Sequence, residues 1–285
     1  MTYEIRDLEY KDFPEGLLHI PDVPKKLRIA GTLTENEVFL CVVGSRKHSH
    51  YGAEICEKLI SSLKGLPVAI VSGMALGVDS IAHKTAIETR LKTIAFPGSG
   101  LSRDKIYPRN HLRLADRIVE SGGALISEFE DNFGAAPWAF PRRNRLMAGI
   151  SNAVLVIEAE KKSGTLITAR LATEYNRDVL AVPGNISSPL SQGPNLLIRL
   201  GATPITEEKD LLEALGFEPA DLETRNLFED LEDDEKKIAE LLTEPQTRDE
   251  LADKTKMAFP QLSATLSMLE LKGIIKESGG KIYLV

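Results

Sequence analysis

The sequence predicts a doubly wound α/β fold, and three observations carry that prediction. Short apolar, β-branched runs recur along the middle of the chain, each followed by small residues and then a helical pattern. The runs are continuously apolar rather than alternating, as expected for strands buried on both faces of a parallel sheet. A chain of 285 residues that is 42% hydrophobic has enough apolar material for one large domain and a second small one.

Taken in order, residues 1–37 do not share the rhythm and read as a short, partly helical lead-in ending in Ile29-Ala30-Gly31-Thr32-Leu33. Strands are expected at Val38–Val43, Val68–Ser72, Thr93–Phe96, Ala124–Ser127, Ala153–Glu158, Val179–Val182 and Thr203–Ile205. Helices are expected at Gly52–Leu63, Val78–Leu91, His111–Ser121, Arg143–Gly149, Thr165–Tyr175, Pro194–Leu200 and Glu207–Leu215. Residues 38–216 therefore form the Rossmann-like, mostly parallel domain. Residues 217–231 are acidic, contain Pro219 and read as a linker. Residues 232–285 read as three helices and a hairpin, the winged-helix arrangement. The first helix is Asp233–Leu242. The second is capped by Thr247 with Glu250 three residues on, a capping box. The third, Phe259–Lys272, stops at Gly273, and two strands then turn about Gly279-Gly280.

The net charge of −7 does not advertise nucleic acid, so a DNA-binding surface would have to concentrate its cations locally. Cys41 and Cys56 have no metal-ligand spacing, and a disulfide framework is not expected in so large a domain. The N-terminus has no apolar signal region, and no run approaches the roughly 18 apolar residues of a membrane span. A cytoplasmic protein without membrane attachment is the expectation.

In an open parallel sheet, ligands bind beyond the carboxyl ends of the strands. Five segments there are rich in small residues: Gly44-Ser45-Arg46, Ser72-Gly73-Met74-Ala75-Leu76-Gly77-Val78-Asp79, Pro97-Gly98-Ser99-Gly100, Glu158 through Thr165, and Pro183-Gly184-Asn185. Such turns bring backbone N–H groups and helix N-termini toward an anion, although each glycine by itself could simply make a tight turn. The densest cationic cluster, Phe140-Pro141-Arg142-Arg143-Asn144-Arg145, opens a predicted helix. Positive charge there opposes the helix dipole, so stability alone explains it poorly and phosphate binding explains it well. Trp138 and Phe140 beside it are either core residues or rings on which unpaired bases stack.

Enzyme signatures are missing. The sequence has no G-x-x-x-x-G-K-[ST], no G-x-G-x-x-G with a distant acid, and no H-E-x-x-H among His19, His48, His50, His83 and His111. No catalytic residue, metal or cofactor is expected. Asp79 and His83 stand at i,i+4, a spacing suited to a hydrogen bond across one helical turn.

With these motifs in order from Phe13-Pro14-Glu15-Gly16-Leu17 to Leu215, the chain resembles the DprA/Smf family. The resemblance rests on Gly44-Ser45-Arg46, on Ser72 through Asp79 with His83, and on Phe140 through Ser151. It rests equally on Ser163-Gly164-Thr165-Leu166-Ile167-Thr168-Ala169, Pro183-Gly184 and Gly193-Pro194-Asn195. It implies an extended Rossmann-like fold, single-stranded DNA in a positive pocket, a homodimer, and loading of the RecA recombinase in natural transformation. It also implies a C-terminal winged helix, in line with residues 232–285. Carried onto this chain, Arg46 meets a phosphate, and Arg143, Asn144 and Arg145 contact phosphate or line the pocket. Phe140 stacks on a base, and Ser163, Gly164 and Thr165 offer backbone and hydroxyl donors. Gly44, Ser45, Ser72, Gly73 and Met74 form the sheet-edge turns of the same site. Charge and position add Arg109, Lys161 and Lys162.

Two rivals remain. Rossmann-like nucleotide phosphoribohydrolases carry a catalytic glutamate in a related loop, where this chain has Thr168. A sequence-specific regulator would read duplex DNA with Phe259–Lys272, but that helix brings only Lys272, opposed by Glu270.

Overall fold

The structure is a computed structural model and describes residues 3–33, 37–218, 231–242 and 245–284. The chain divides into two units, Met1–Phe217 and Glu218–Val285.

The first unit is built on strand β3 (Val38–Val43), whose run of Val, Phe, Leu and Cys suits burial on both faces. Around it lie β4 (Val68–Ser72), β5 (Lys92–Ala95), β6 (Ala124–Ser127), β7 (Ala153–Val156), β8 (Asp178–Ala181) and β9 (Thr203–Pro204). Two further strands, β1 (Ile5–Leu8) and β2 (Leu27–Gly31), precede them. The sheet order is β1-β2-β6-β5-β4-β3-β7-β8-β9. From β6 to β9 every pairing is parallel, and Leu40 of β3 lies opposite Ile70 on one side and Ala153 on the other.

Helices cover both faces. α2 (His50–Ser61), α3 (Val78–Glu88), α4 (Leu112–Glu120) and α8 (Glu208–Ala214) pack in succession along one side. On the other, α5 (Ala139–Ile150) packs against α1 (Glu15–Leu18) and α6 (Thr165–Glu174). α7 (Gln192–Arg199) follows β8. The core includes Leu40, Cys41, Val71, Ile94, Ile126, Val154 and Val156, all essentially inaccessible.

The expected strands and helices of this unit appear with ends shifted by a residue or a few. The lead-in differs more. Its β1 and β2 are strands of the same sheet, paired antiparallel with each other and, through β2, with β6. Arg6 and Asp7 occupy the middle of β1, an edge strand, so it lacks the apolar run that marks the inner strands. Arg28 of β2 donates to Asp131 at 2.9 Å and pairs with Asp7.

The second unit contains α9 (Asp233–Leu241), α10 (Arg248–Thr255), α11 (Phe259–Leu271), β10 (Ile275–Ser278) and β11 (Lys281–Leu284). The Thr247–Glu250 capping box forms, Thr247 N–H reaching the Glu250 carboxylate at 2.7 Å. Gly279 and Gly280 both have positive φ, at 61° and 75°, as a two-residue hairpin turn of the primed kind requires. Ile238, Leu251, Leu262, Leu266, Leu269, Ile275 and Ile282 make a small core of their own. Lys272, the cation at the end of α11, donates to Glu235 at 2.6 Å and is engaged within the unit. Most of the segment read as a linker, residues 219–230, lies outside the described residues.

Candidate nucleic-acid interface

β3 has β4 on one side and β7 on the other, and the chain leaves β3 and β7 for helices on opposite faces. The two exits diverge and open a crevice at the carboxyl edge, the topological switch point of a doubly wound sheet. A cavity of about 450 Å³ sits there. It is lined by Gly44, Ser45, Arg46 and Lys47 after β3, Ala75 and Asp79 after β4, Phe140, Arg143 and Asn144 of α5, and Glu160, Ser163, Gly164 and Thr165 after β7.

Buried Glu158, just beyond β7, latches the two sides. It accepts the Ser49 backbone N–H at 2.8 Å and the Ser49 hydroxyl at 2.5 Å, while Ser49 caps α2 by accepting from Gly52 N–H. Thr165 Oγ1 donates to the Gly44 carbonyl at 3.2 Å, tying the start of α6 to the end of β3.

The wall belongs to α5. Arg143 is only 5% exposed and reaches across to the Gly73 carbonyl, at 2.5 Å, and to the Phe96 carbonyl. It ties the ends of β4 and β5 together, and burial pulls its guanidinium down to about 10. A Cβ on Gly73 would lie 2.3 Å from the Arg143 guanidinium, and one on Gly98 would lie 2.5 Å from the Phe140 ring. These two glycines make room for α5, where the sequence suggested an approaching anion. Half-buried Phe140 carries the Arg46 guanidinium 5.4 Å above its ring centroid. Arg46 is exposed and, among the described residues, forms no ion pair.

Beneath the cavity lies a buried polar layer, from which Asp79 reaches the lining. Asp79 is buried, which raises its pKa against the opposing pull of Arg143, and it accepts the Ala75 N–H at 3.3 Å. His83 does not bond Asp79 across the turn; its Nδ1 pairs with Thr93 Oγ1 at 2.7 Å. Burial, with His111 and Arg143 nearby, lowers its pKa to about 3, so the ring is neutral. His111 Nδ1 meets the Met74 carbonyl at 2.8 Å.

The sequence-selected residues divide. Gly44, Ser45, Arg46, Phe140, Arg143, Asn144, Ser163, Gly164 and Thr165 converge on the cavity. Ser72, Gly73, Met74, Arg109, Arg145, Lys161 and Lys162 do not line it. Ser72 and Met74 are buried, the Ser72 hydroxyl donating to the Val42 carbonyl. Arg109 folds back on the Asp104 carbonyl at 2.6 Å. Lys161 and Lys162 are exposed beyond Glu160. Arg145 stands two positions from Arg143, about 200° around the helix, and so faces away. It is bound by Glu128 at 2.5 Å and Asp22 at 3.3 Å, and Glu128 also holds Arg142. Most of the positive charge at this helix start is therefore neutralised by carboxylates. Trp138 packs on Phe129 and Phe133, at 5.7 and 5.4 Å between centroids, outside the cavity. Lys47 and Asp79 were missed as lining residues. Lys47 simply follows Arg46, and Asp79 ends the Ser72–Asp79 segment already placed at the ligand-binding edge, although its carboxylate was not selected as a site residue. Among the described residues no three His, Cys, Asp or Glu side chains are grouped to hold a metal.

Comparisons with known proteins cover both units. The family model for DNA recombination-mediator protein A matches residues 5–216, and that for the DprA winged helix domain matches residues 227–281. The chain is 40% identical over 282 residues to Protein Smf of Escherichia coli K12, spanning 95% of this chain and 75% of that protein. It is 40% identical over 206 residues to DNA processing protein DprA of Streptococcus pneumoniae R6, spanning 72% of each. The X-ray structure of DprA from Streptococcus pneumoniae aligns with a TM-score of 0.70 at 38% identity, over 75% of each chain. DNA processing protein A from Helicobacter pylori, in a structure describing its single-stranded DNA binding mode, aligns with a TM-score of 0.68 at 30% identity. That match covers 75% of this chain and 96% of the other. Two matching family models and identity sustained over nearly the whole length make this chain a member of the DprA/Smf family of DNA recombination mediators.

Proposed function

We propose that this protein binds single-stranded DNA at the switch-point cavity, protects it, and hands it to the RecA recombinase in the cytoplasm during DNA uptake by natural transformation. The observation that carries the DNA reading is Arg46 seated over Phe140 at the rim: a cation that forms no ion pair among the described residues, beside a ring accessible from the cavity. A phosphate suits the first and an unpaired base the second. The cavity is also flanked by the start of α6, whose partial positive charge favours an anion. The structure of the Helicobacter pylori relative concerns single-stranded DNA binding, which supports the same ligand class here. RecA as the protein partner and a homodimer as the assembly rest on the family resemblance. No helix among the described residues is long and apolar enough to cross a membrane. Residues 1–37, 38–216, 217–231 and 232–285 remain our functional division, with the winged helix a protein-contact or weak duplex-binding module. The engaged Lys272 supports that reading of the last segment. Gel shifts with single- and double-stranded oligonucleotides in matched salt, with and without RecA, test it. Preference for the single strand and a slower-migrating species with RecA are expected; equal affinity for both DNA forms overturns the stacking site.

A further inference from the structure

We propose that Tyr107 is a second base-stacking platform, which carries the bound strand past Phe140 and out of the main cavity. The proposal rests on the single-stranded DNA reading above and extends it to a residue outside the cavity.

Phe140 borders two hollows. It lines the switch-point cavity and also a second, shallow depression whose other walls include Arg46, Gly73, Leu76, Tyr107, Pro108 and Arg143. That depression holds only about 30 Å³, too little to enclose a base, so whatever binds there lies on its surface. Its exposed apolar surfaces are Tyr107, 47% exposed, and Leu76, 44% exposed. Arg46 borders both hollows, so one cation serves phosphates at either.

Tyr107 is held in place without being buried. Ile106 before it is in the core, and the Ile106 N–H bonds the Ser102 carbonyl. After it, His111 N–H bonds the Pro108 carbonyl and the His111 ring meets Met74. The segment is fixed on both sides and presents the ring outward, so little freedom remains to be lost on binding.

The angle between the rings adds a selectivity argument. Tyr107 and Phe140 have centroids 5.8 Å apart and planes inclined by 48°. Bases lying flat on each ring would be splayed by a similar angle. Neighbouring bases in a duplex are parallel and cannot satisfy both rings, whereas an unpaired strand can turn between them. The flanking guanidinium makes a nucleic acid strand the occupant that fits this apolar surface.

The test uses the full chain and a thymidine oligonucleotide carrying 2-aminopurine at successive positions. Tyr107→Ala is expected to weaken binding by roughly five- to 140-fold, the range for losing one base–aromatic stack. It should also restore 2-aminopurine emission at one position while quenching at a neighbouring position remains. Tyr107→Phe should bind like the parent. Tyr107→Leu keeps apolar bulk against Phe140 but has no π face, and should behave like Tyr107→Ala; parental binding by Tyr107→Leu means the ring only packs, and overturns the proposal. Parental binding by Tyr107→Ala, with parental melting, overturns it too, and if Phe140→Ala still loses affinity the DNA site itself stands. Failure of the parent to bind any single strand removes both readings together.

Discussion

Two basic regions border the same helix, α5, from opposite sides, and they do opposite things. At the cavity rim Arg46 sits over Phe140 with no ion-pair partner among the described residues. On the far side of α5, Arg142 and Arg145 are held by Glu128 and Asp22. Both regions look alike in sequence, as arginines near a conspicuous motif. What separates them is whether a carboxylate from elsewhere in the chain reaches them. An arginine already paired has given its charge to the fold; an unpaired, accessible one is available to a phosphate.

The comparison can be broken most forcefully at Glu128. Its side chain is 4% exposed and pairs with an Arg145 side chain that is 8% exposed. Glu128→Ala leaves a buried arginine short of its partner and should cost about 3–5 kcal/mol in the unfolding of the first unit. Urea denaturation measures this, and DNA affinity of the folded fraction should stay at the parental level. A large loss of affinity in folded protein would show that the neutralised region also serves DNA.

The floor under the open region supplies a pH test. His83 is held down to about 3 in the fold by burial, against about 6.5 in the unfolded chain. Its contribution to stability is full above pH 6.5 and is lost progressively as pH falls toward 3, because only the unfolded state takes the proton in that window. Between pH 6.5 and pH 5 the loss should be about 2 kcal/mol. His83→Gln should flatten the slope; an unchanged slope in that variant assigns the pH dependence to another group.

Two smaller effects sharpen the rim. Phe140→Ala should weaken single-strand binding by about 1–3 kcal/mol with little change in its salt dependence. Arg46→Ala should lower affinity and reduce the slope of log K against log salt by about 0.7, the signature of one lost phosphate contact. Titrations across a salt series separate the two. Loss of both terms together in either variant would point to a collapsed cavity rather than a missing contact, and a parental melting transition must accompany each result.

Much of the fold was legible because strand burial leaves a local trace. The continuous apolar runs at Val38–Val43, Val68–Ser72 and Ala124–Ser127 coincide with strands, and the Thr247–Glu250 capping box marks the start of α10. β1 escaped because it is an edge strand with Arg6 and Asp7 at its centre, so its identity as a strand comes from pairing with β2. Of the candidate site, Gly44, Ser45, Arg46 and the Ser163–Thr165 turn were readable from their position after strands, and Phe140 from its place beside the arginine cluster that opens α5. Gly73 and Gly98 were readable as necessary glycines but not for the right cause, since what occupies the missing Cβ space is Arg143 and Phe140.

The sequence by itself determined the alternation of strands and helices, the small terminal unit and the edge of the sheet at which a ligand would bind. These follow from periodicity, capping and turn chemistry, all of which act over a few residues. Tertiary structure alone decided which arginine of α5 faces the cavity, which is neutralised, and that Tyr107 comes within 5.8 Å of Phe140. Those outcomes depend on helix rotation and on contacts between segments distant in the chain. A side chain's chemistry is written in the sequence, but its partner is chosen only when the sheet and helices pack.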